Sequence, residues 1–147
     1  MRALIQRVSE ASVSIDGEIV GAIGEGLVIL LGVGREDGPA QADKLAGKVA
    51  RLRVFDDGAG RMEHSLRDLG SEAGALCISQ FTLYGDTRRG LRPSFTEAAE
   101  PERAEELYEG FCAALTAQDV RVERGRFGAR MSVDLRNEGP VTLLLEA

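Results

Sequence analysis

The pair Asp16-Gly17 constrains the fold more than any other feature of the sequence. It separates two strand-like segments, residues 12–15 and 18–23, and an Asp-Gly pair between two strands is a strong signal for a β-hairpin. A further strand is predicted at residues 3–8, and the apolar run at 27–33 is typical of a strand buried on both faces. The chain therefore opens with a predicted β-meander.

Two later segments show the spacing of amphipathic helices. The first has Pro39 at a favourable first helical position, followed by apolar residues at helical spacing to about Arg53. The second covers residues 101–115, where acidic side chains in the first turns complement the helix dipole.

Five more segments are predicted as strands: residues 53–55, 75–83, 120–123, 129–136 and 141–145. A turn at 56–60 follows the first of them, a polar loop at 84–95 follows the second, and residues 137–140 would join the last two. About eight strands with two main helices predict an α/β fold, a curled mixed β-sheet or open barrel formed by residues 1–147 as a single domain.

Composition and charge narrow the class of protein. The chain has 147 residues, of which 44% are hydrophobic, enough for one core, and its net charge is −6. Coating nucleic acid without specificity is disfavoured, because neutralising phosphates requires many Lys and Arg residues. A local basic patch remains: Arg88, Arg89 and Arg92 lie within five residues, although a solvated charged loop explains this cluster equally well.

The longest apolar runs, such as residues 27–31, are too short to span a bilayer, and Arg2 and Arg7 lie within the first apolar stretch. We therefore expect a cytoplasmic protein with no membrane partner. In that reducing compartment, Cys77 and Cys112 are expected to be buried thiols rather than a disulfide.

Catalytic side chains of the usual kinds are few. The one histidine, His64, lies just after a turn, and a surface role is favoured over a catalytic one. Cys77 would be a nucleophile only if a base reached it, and its apolar neighbours favour the core. No Ser-His-Asp order, Gly-rich phosphate loop or Cys/His metal spacing is present, so no metal or organic cofactor is expected.

Two segments stand out from ordinary barrel sequence. Residues 79–83, with the sequence Ser-Gln-Phe-Thr-Leu, end an apolar strand in polar groups, and residues 137–142, Asn-Glu-Gly-Pro-Val-Thr, join two strands. Binding sites are commonly built where strands lead into loops. Ser79 and Thr82 are also consistent with the polar face of a strand, and Gly139-Pro140 with an ordinary turn. The residues by themselves leave these alternatives open.

Together the two segments resemble the paired signatures of the D-aminoacyl-tRNA deacylase family. Three further blocks match that family in the same order along the chain: residues 5–8 (Ile-Gln-Arg-Val), 86–95, and 127–131 (Phe-Gly-Ala-Arg-Met). The five blocks extend over nearly the whole chain, which makes the resemblance far more specific than a single motif. Glu63 and Glu138 depart from it, since Asn and Asp are more usual at those positions.

The resemblance implies a homodimer with shared active sites. In the family, the peptide that corresponds to Gly139-Pro140 is cis and projects from one subunit into the pocket of the other. Its carbonyl oxygens would accept hydrogen bonds from the substrate ammonium, and the surrounding backbone would leave no room for an L side chain. Arg7 would brace this segment.

The resemblance also assigns the other site residues. The main-chain N–H groups of Phe81 and Thr82 would hold the ester carbonyl as negative charge develops on it. Thr82 would act as a nucleophile or position the substrate, and the 2′-hydroxyl of the tRNA could assist attack by water. The residues implied are Ser79, Gln80, Phe81 and Thr82 for catalysis, Gly139 and Pro140 for chiral selection, Arg7, Asn137, Phe127 and Met131 in support, and Arg88, Arg89 and Arg92 for tRNA phosphates.

The implied function is hydrolysis of the ester bond of D-aminoacyl-tRNA, and of glycyl-tRNA, with L-aminoacyl-tRNA spared. Two other functions fit the same sequence. A noncatalytic RNA-binding module would hold the 3′ end of a tRNA without turnover, and an editing domain would act on one misacylated tRNA. The Gly-Pro motif favours chiral exclusion over the reading of one side chain.

Overall fold

The computed structural model describes residues 1–147, which form eight strands and three helices. The strands are β1 (Arg2–Ile15), β2 (Glu18–Ile23), β3 (Gly26–Gly32), β4 (Phe55–Asp56), β5 (Met62–His64), β6 (Gly74–Ser79), β7 (Arg121–Arg124) and β8 (Ser132–Glu146). The helices are α1 (Pro39–Arg51), α2 (Leu66–Leu69) and α3 (Pro101–Thr116). The mixed α/β class predicted from the sequence is confirmed.

Strand β1 is the centre of the main sheet. It pairs antiparallel with β3 through residues 2–8 and with β2 through residues 11–15, while β8 runs antiparallel along it from residue 2 to residue 14. Beyond β3, the strands β6 and β7 continue the sheet in parallel. The sheet is curled and nearly closed like a barrel, as predicted.

The hairpin predicted at Asp16-Gly17 is confirmed. The φ angles of the two residues are 52° and 83°. A type I′ turn requires positive φ at both central positions, which Asp and Gly tolerate better than most residues. The turn joins β1 directly to β2.

The main hydrophobic core lies between the sheet and the two long helices, α1 and α3, which pack on each other. Strand β3 is buried on both faces, as its unbroken apolar sequence predicts: Leu27 and Ile29 belong to the main core, and Val28 belongs to a smaller cluster of seven buried residues. The buried hydroxyl of Tyr108 on α3 donates to the carbonyl of Cys77 on β6 at 2.9 Å. This bond holds α3 over the end of β6, where the site lies.

The strand predicted at residues 75–83 instead ends at Ser79, and the chain then forms a 3₁₀ turn at Phe81–Tyr84. The cause is a close approach between distant parts of the chain. A Cβ added to Gly32 would lie 3.1 Å from the Cβ of Leu83 and 3.3 Å from the ring of Tyr84. Because position 32 has no side chain, residues 83 and 84 lie close against it, and the turn follows directly after the end of β6.

The two strands predicted at residues 129–136 and 141–145 are one strand, β8, so the turn predicted between them is wrong. The strand continues through residues 137–140 as a bulge, where its register against β1 shifts twice. The side-chain amide of Asn137 donates to the carbonyl of Arg7 at 2.9 Å and to that of Val141 at 3.1 Å. These bonds stabilise a position where a proline has no N–H to give to the ladder.

The remaining differences concern short elements and ends. The strands predicted at residues 3–8 and 12–15 are one strand, and α1 ends at Arg51 rather than near Arg53. The short strand predicted at 53–55 lies at Phe55–Asp56 and pairs with β5, which the sequence does not predict. Helix α2 is a third helix beyond the two predicted, because four residues are too few to show helical periodicity. No helix has the length and apolar character needed to cross a membrane.

Candidate active site

A mostly apolar pocket of about 600 Å³ opens where β6 ends beneath α3. Its lining comes from four parts of the chain, and two of them are blocks singled out in the sequence. The lining residues on which the argument depends are Ser79, Gln80 and Phe81 after β6, Phe95, Tyr108 on α3, and Phe127, Gly128, Ala129 and Met131 before β8. The fold thus brings residues 79–81 and 127–131 to one cavity.

The 3₁₀ turn after β6 presents main-chain donors beside the pocket. Gln80 makes the last ladder bond, its N–H donating to the carbonyl of Leu31 at 2.8 Å. Within the turn, Leu83 donates to Gln80 and Gly85 donates to Thr82, at 3.2 and 3.0 Å. The first N–H groups of a helical turn have no partner inside it. The N–H groups of Phe81 and Thr82 are therefore available to a ligand.

Thr82 is exposed, and its hydroxyl oxygen accepts a hydrogen bond from the side-chain amide of Gln80. An amide nitrogen cannot take a proton from a hydroxyl group, so this contact orients Thr82 without activating it. His64 lies in β5 opposite Phe55, is partly exposed, and does not line the pocket.

Two buried polar groups near the pocket, the Tyr108 hydroxyl and the Cys77 thiol, are held neutral. Burial raises the pKa of the Tyr108 hydroxyl well above its usual value. Cys77 is completely buried, and its contact with Cys112 together with burial raises the pKa of its thiol. Both cysteines are free, which confirms that they are core residues. Neither the Tyr108 hydroxyl nor the Cys77 thiol is therefore suited to general base catalysis, and the one carboxylate in the lining is Glu100, which is exposed and precedes α3. No cluster of His, Cys, Asp or Glu side chains is suited to holding a metal ion.

Two phenylalanines stand at the edge of the pocket. The rings of Phe81 and Phe95 meet edge to face, with centroids 5.0 Å apart and an angle of 66°. Their side chains are unusually accessible for aromatic residues, with 57% and 37% of each residue exposed. An accessible aromatic pair offers a flat apolar contact to a ligand that enters the pocket.

Residues 85–95 form a loop that begins after the 3₁₀ turn and returns to the pocket at Phe95; we call it the arginine loop. Asp86 and Ser94 exchange backbone hydrogen bonds of 2.8 and 2.9 Å at its base. Arg88 contacts the carboxylate of Asp86 at 2.8 Å, and the hydrogen bonds from Arg88 lower the pKa of Asp86 to about 2. Arg88 is thus paired within the loop, whereas Arg89 and Arg92 are exposed.

Gly139 and Pro140 do not line this pocket of their own chain. The peptide between them is cis, as the sequence resemblance implies, and both residues are exposed in β8. A Cβ added to Gly139 would meet no atom within 4 Å. The guanidinium of Arg7 donates to the carbonyl of Val54 at 2.5 Å and makes no hydrogen bond with this segment of its own chain. Arg7 contacts the segment through its main-chain carbonyl, which accepts the bond from Asn137.

Sequence reasoning missed the contacts by which Arg2 and Asp37 hold the 3₁₀ turn, one of them through Tyr84, the last residue of the turn. Arg2 donates to the carbonyl of Leu83 at 2.9 Å, and its guanidinium lies 4.5 Å from the centre of the Tyr84 ring. The Tyr84 hydroxyl contacts Asp37 at 3.3 Å, and burial and the nearby Asp37 charge raise its pKa to about 12. The only signal in the sequence was an arginine, Arg2, in an apolar strand.

Comparison with known proteins covers the whole chain. The family model described as D-Tyr-tRNA(Tyr) deacylase matches residues 4–146. A Roseiflexus castenholzii protein named D-aminoacyl-tRNA deacylase is 58% identical over 147 residues, which are 100% of this chain and 92% of that protein. A protein of the same name from Ruegeria pomeroyi is 56% identical over 146 residues, covering 99% of each chain.

Two solved structures share the fold. One, named c-Myc DNA Unwinding Element Binding Protein, has a TM-score of 0.92 and 39% sequence identity, and the match covers 100% of this chain and 99% of that one. The other, described as a probable eukaryotic D-amino acid tRNA deacylase, has a TM-score of 0.81 at 17% identity, covering 99% and 98%. From the family match and the full-length relatives, the chain belongs to the D-Tyr-tRNA(Tyr) deacylase family.

Proposed function

We propose that the chain hydrolyses the ester that links a D-amino acid to tRNA, releasing the free amino acid and the tRNA. The observation that carries this proposal is the pocket: residues 79–81 meet residues 127–129 and 131 in one apolar cavity, and the N–H groups of Phe81, which lines it, and of the adjacent Thr82 have no main-chain partner. The full-length relatives named D-aminoacyl-tRNA deacylase support it.

Main-chain donors suit the chemistry of ester hydrolysis. Water adds to the ester carbonyl carbon, and negative charge develops on the carbonyl oxygen, where preorganised N–H groups stabilise it. The bond to the ribose oxygen then breaks, and that oxygen leaves with a proton as the 3′-hydroxyl of the tRNA. Because an aminoacyl ester is already activated, orientation and an oxyanion site suffice. The 2′-hydroxyl beside the ester is placed to assist the attacking water.

The Gly139-Pro140 segment acts, in this proposal, in the pocket of a second copy of the chain. It is exposed and does not line its own pocket, and a larger residue at position 139 would meet nothing within 4 Å. It also lies on β8, which pairs on one edge only, with β1. Three leucines of β8 are unusually exposed: Leu135, Leu143 and Leu144. A symmetric dimer would cover these side chains and form two shared sites.

Chiral selection then follows from exclusion. If the partner's backbone at Gly139-Pro140 holds the substrate ammonium, any group in the L position collides with it, whatever its chemistry. Recognition of D side chains by favourable contacts would gain only about 1–3 kcal/mol per methylene and would differ for each amino acid. Glycine has no group in either position, so this pocket accepts it. On the tRNA side, Arg89 and Arg92 contact phosphates, together with Arg88 where it is released from Asp86.

A nucleic-acid-binding protein without hydrolytic activity is the second candidate, because the structure that is 39% identical is named for binding a DNA element. The two candidates differ in turnover. A binding protein protects a charged tRNA in proportion to its own amount, whereas an enzyme present at a small fraction of the substrate clears it.

The first test of the function is a substrate panel at a catalytic amount of protein. D-tyrosyl-, D-aspartyl- and glycyl-tRNA are expected to lose their amino acid, while L-tyrosyl-tRNA is spared, because exclusion acts on the L position alone. Release of radiolabelled amino acid measures each rate. Intact D-tyrosyl-tRNA would refute the deacylase, and resistant glycyl-tRNA alone would refute selection by exclusion.

Replacing Thr82 by valine separates a nucleophile from a positioning residue. We expect Thr82→Val to lower kcat by less than the roughly 10²–10³-fold typical of losing one oxyanion donor, because the main-chain donors remain. Thr87→Val, a change of the same type on the exposed arginine loop, is the matched control. Single-turnover deacylation gives both rates, and a fall to the uncatalysed rate in folded Thr82→Val would instead identify Thr82 as the nucleophile.

Subunit mixing tests the shared site. Ala129→Trp should fill the pocket of its own chain, and Gly139→Glu should obstruct the pocket of the partner, so each variant alone is inactive. In a random mixture half of the dimers are hybrids with one intact site, which restores about a quarter of the wild-type activity.

Sedimentation should first show that each variant is a dimer, and each variant mixed with itself is the control. If the mixture of the two variants, after its subunits have exchanged, remains as inactive as each variant alone, the site is not shared. Full activity of a purely monomeric wild-type sample would lead to the same conclusion.

A further inference from the structure

Most arginines of this chain are committed to partners within it. Their guanidinium groups donate to a carboxylate or to a main-chain carbonyl, as Arg124 does to Glu109 and Arg35 to the carbonyl of Thr96. The arginines with neither an ion pair nor a hydrogen bond are Arg51, Arg67, Arg89, Arg92, Arg126 and Arg130, and all six are exposed. Two of them lie on the arginine loop, and Arg126 and Arg130 lie on another segment that lines the pocket.

Residues 125–131, which we call the pocket segment, contribute some side chains to the cavity and others to the exposed surface. Phe127, Ala129 and Met131 line the pocket, whereas Arg126 and Arg130 are exposed between and beside them. A turn shapes the segment, since the N–H of Ala129 donates to the carbonyl of Arg126 at 3.2 Å and Gly128 has a φ of +71°. Two unpaired cations are therefore held at the border of the cavity.

The carboxylates near the pocket segment leave these cations free. Glu109 is paired with Arg124 on β7, and Glu123 is paired with Arg121. Glu100 is the one acidic residue in the pocket lining. In a chain of net charge −6, a polyanion is attracted only where such uncompensated cations concentrate. Such unpaired arginines lie on two segments that border the pocket, the arginine loop and the pocket segment.

We propose that Arg126 and Arg130 bind backbone phosphates of the polynucleotide whose 3′ end occupies the pocket. They form a second phosphate-binding segment, separate from the arginine loop, so that the strand is held from two sides of the ester. This inference rests on the proposed function for the identity of the polynucleotide, a tRNA. Its test, however, measures binding and does not require hydrolysis.

The test is the salt dependence of binding of uncharged tRNA to Arg126→Gln/Arg130→Gln. Loss of two phosphate contacts should reduce the slope of log affinity against log salt by about 1.4 to 1.8, since each contact contributes about 0.7 on a single strand and 0.9 on a duplex. The ratio of the wild-type affinity to the variant affinity for tRNA should then fall about tenfold when the salt concentration is raised fourfold. Fluorescence titration of labelled tRNA at several salt concentrations gives these slopes.

The chain supplies a matched control in Arg51→Gln/Arg67→Gln. These two arginines are also exposed and unpaired. Arg51 lies on α1 and Arg67 lies on α2, and neither lines the pocket. This variant makes the same change in net charge and should keep the wild-type slope. Arg126→Lys/Arg130→Lys, which preserves the charges, should restore most of the slope. An unchanged slope in Arg126→Gln/Arg130→Gln, or an equal change in the control, would overturn the proposal.

The rates of hydrolysis of two substrates distinguish a failure of this proposal from a failure of the proposed function. In Arg126→Gln/Arg130→Gln, kcat/KM should fall more for D-tyrosyl-tRNA than for D-tyrosyl-adenosine, which has no internucleotide phosphate. Equal losses on both would place the arginines in support of the pocket and contradict phosphate binding. If the wild type cleaves neither substrate, the proposed function fails, while the slopes for uncharged tRNA still decide the role of Arg126 and Arg130.

Discussion

The pairing of β8 along almost the whole of β1 is the interaction on which the rest of the structure depends. It adds a strand to the second edge of β1, and it places the bulge at residues 137–140 on an outer strand. The side-chain amide of Asn137 keeps that bulge within the ladder by donating to the carbonyl of Arg7 on β1 and to that of Val141 on β8. These bonds anchor the exposed Gly139-Pro140 segment, as its proposed contact with a second subunit requires.

The chemistry of the site follows from the end of β6, which lies between β3 and β7 in the sheet. At the end of β6 the missing side chain of Gly32 lets the chain turn sharply, and the turn leaves two N–H groups unpaired beside an apolar cavity. An apolar cavity strengthens the attraction between those N–H groups and a developing negative charge, because little water competes for it. Arg2 holds the turn through the Leu83 carbonyl and the Tyr84 ring, so the N–H groups proposed as donors are positioned before a substrate arrives.

The sequence predicts those features that are determined locally. The hairpin at Asp16-Gly17 and the doubly buried strand β3 are in this class. The continuity of β8 was not predictable, because it depends on a bond between Asn137 and Arg7, 130 residues apart. The blocks at 79–83 and 127–131 identified two sides of the pocket, whereas Phe95 and Tyr108 were indistinguishable from ordinary loop and core residues. Arg126 and Arg130 are meaningful only once their unpaired state is known.

The most direct test of this account is a crystal structure with D-tyrosyl-adenosine in which an amide replaces the ester. The account predicts that the amide oxygen lies about 2.7–3.1 Å from the N–H groups of Phe81 and Thr82. It also predicts that the ammonium contacts the carbonyls at Gly139 and Pro140 of the partner subunit. An ammonium bound only by residues of the same chain, or an amide oxygen directed away from the 3₁₀ turn, would contradict it.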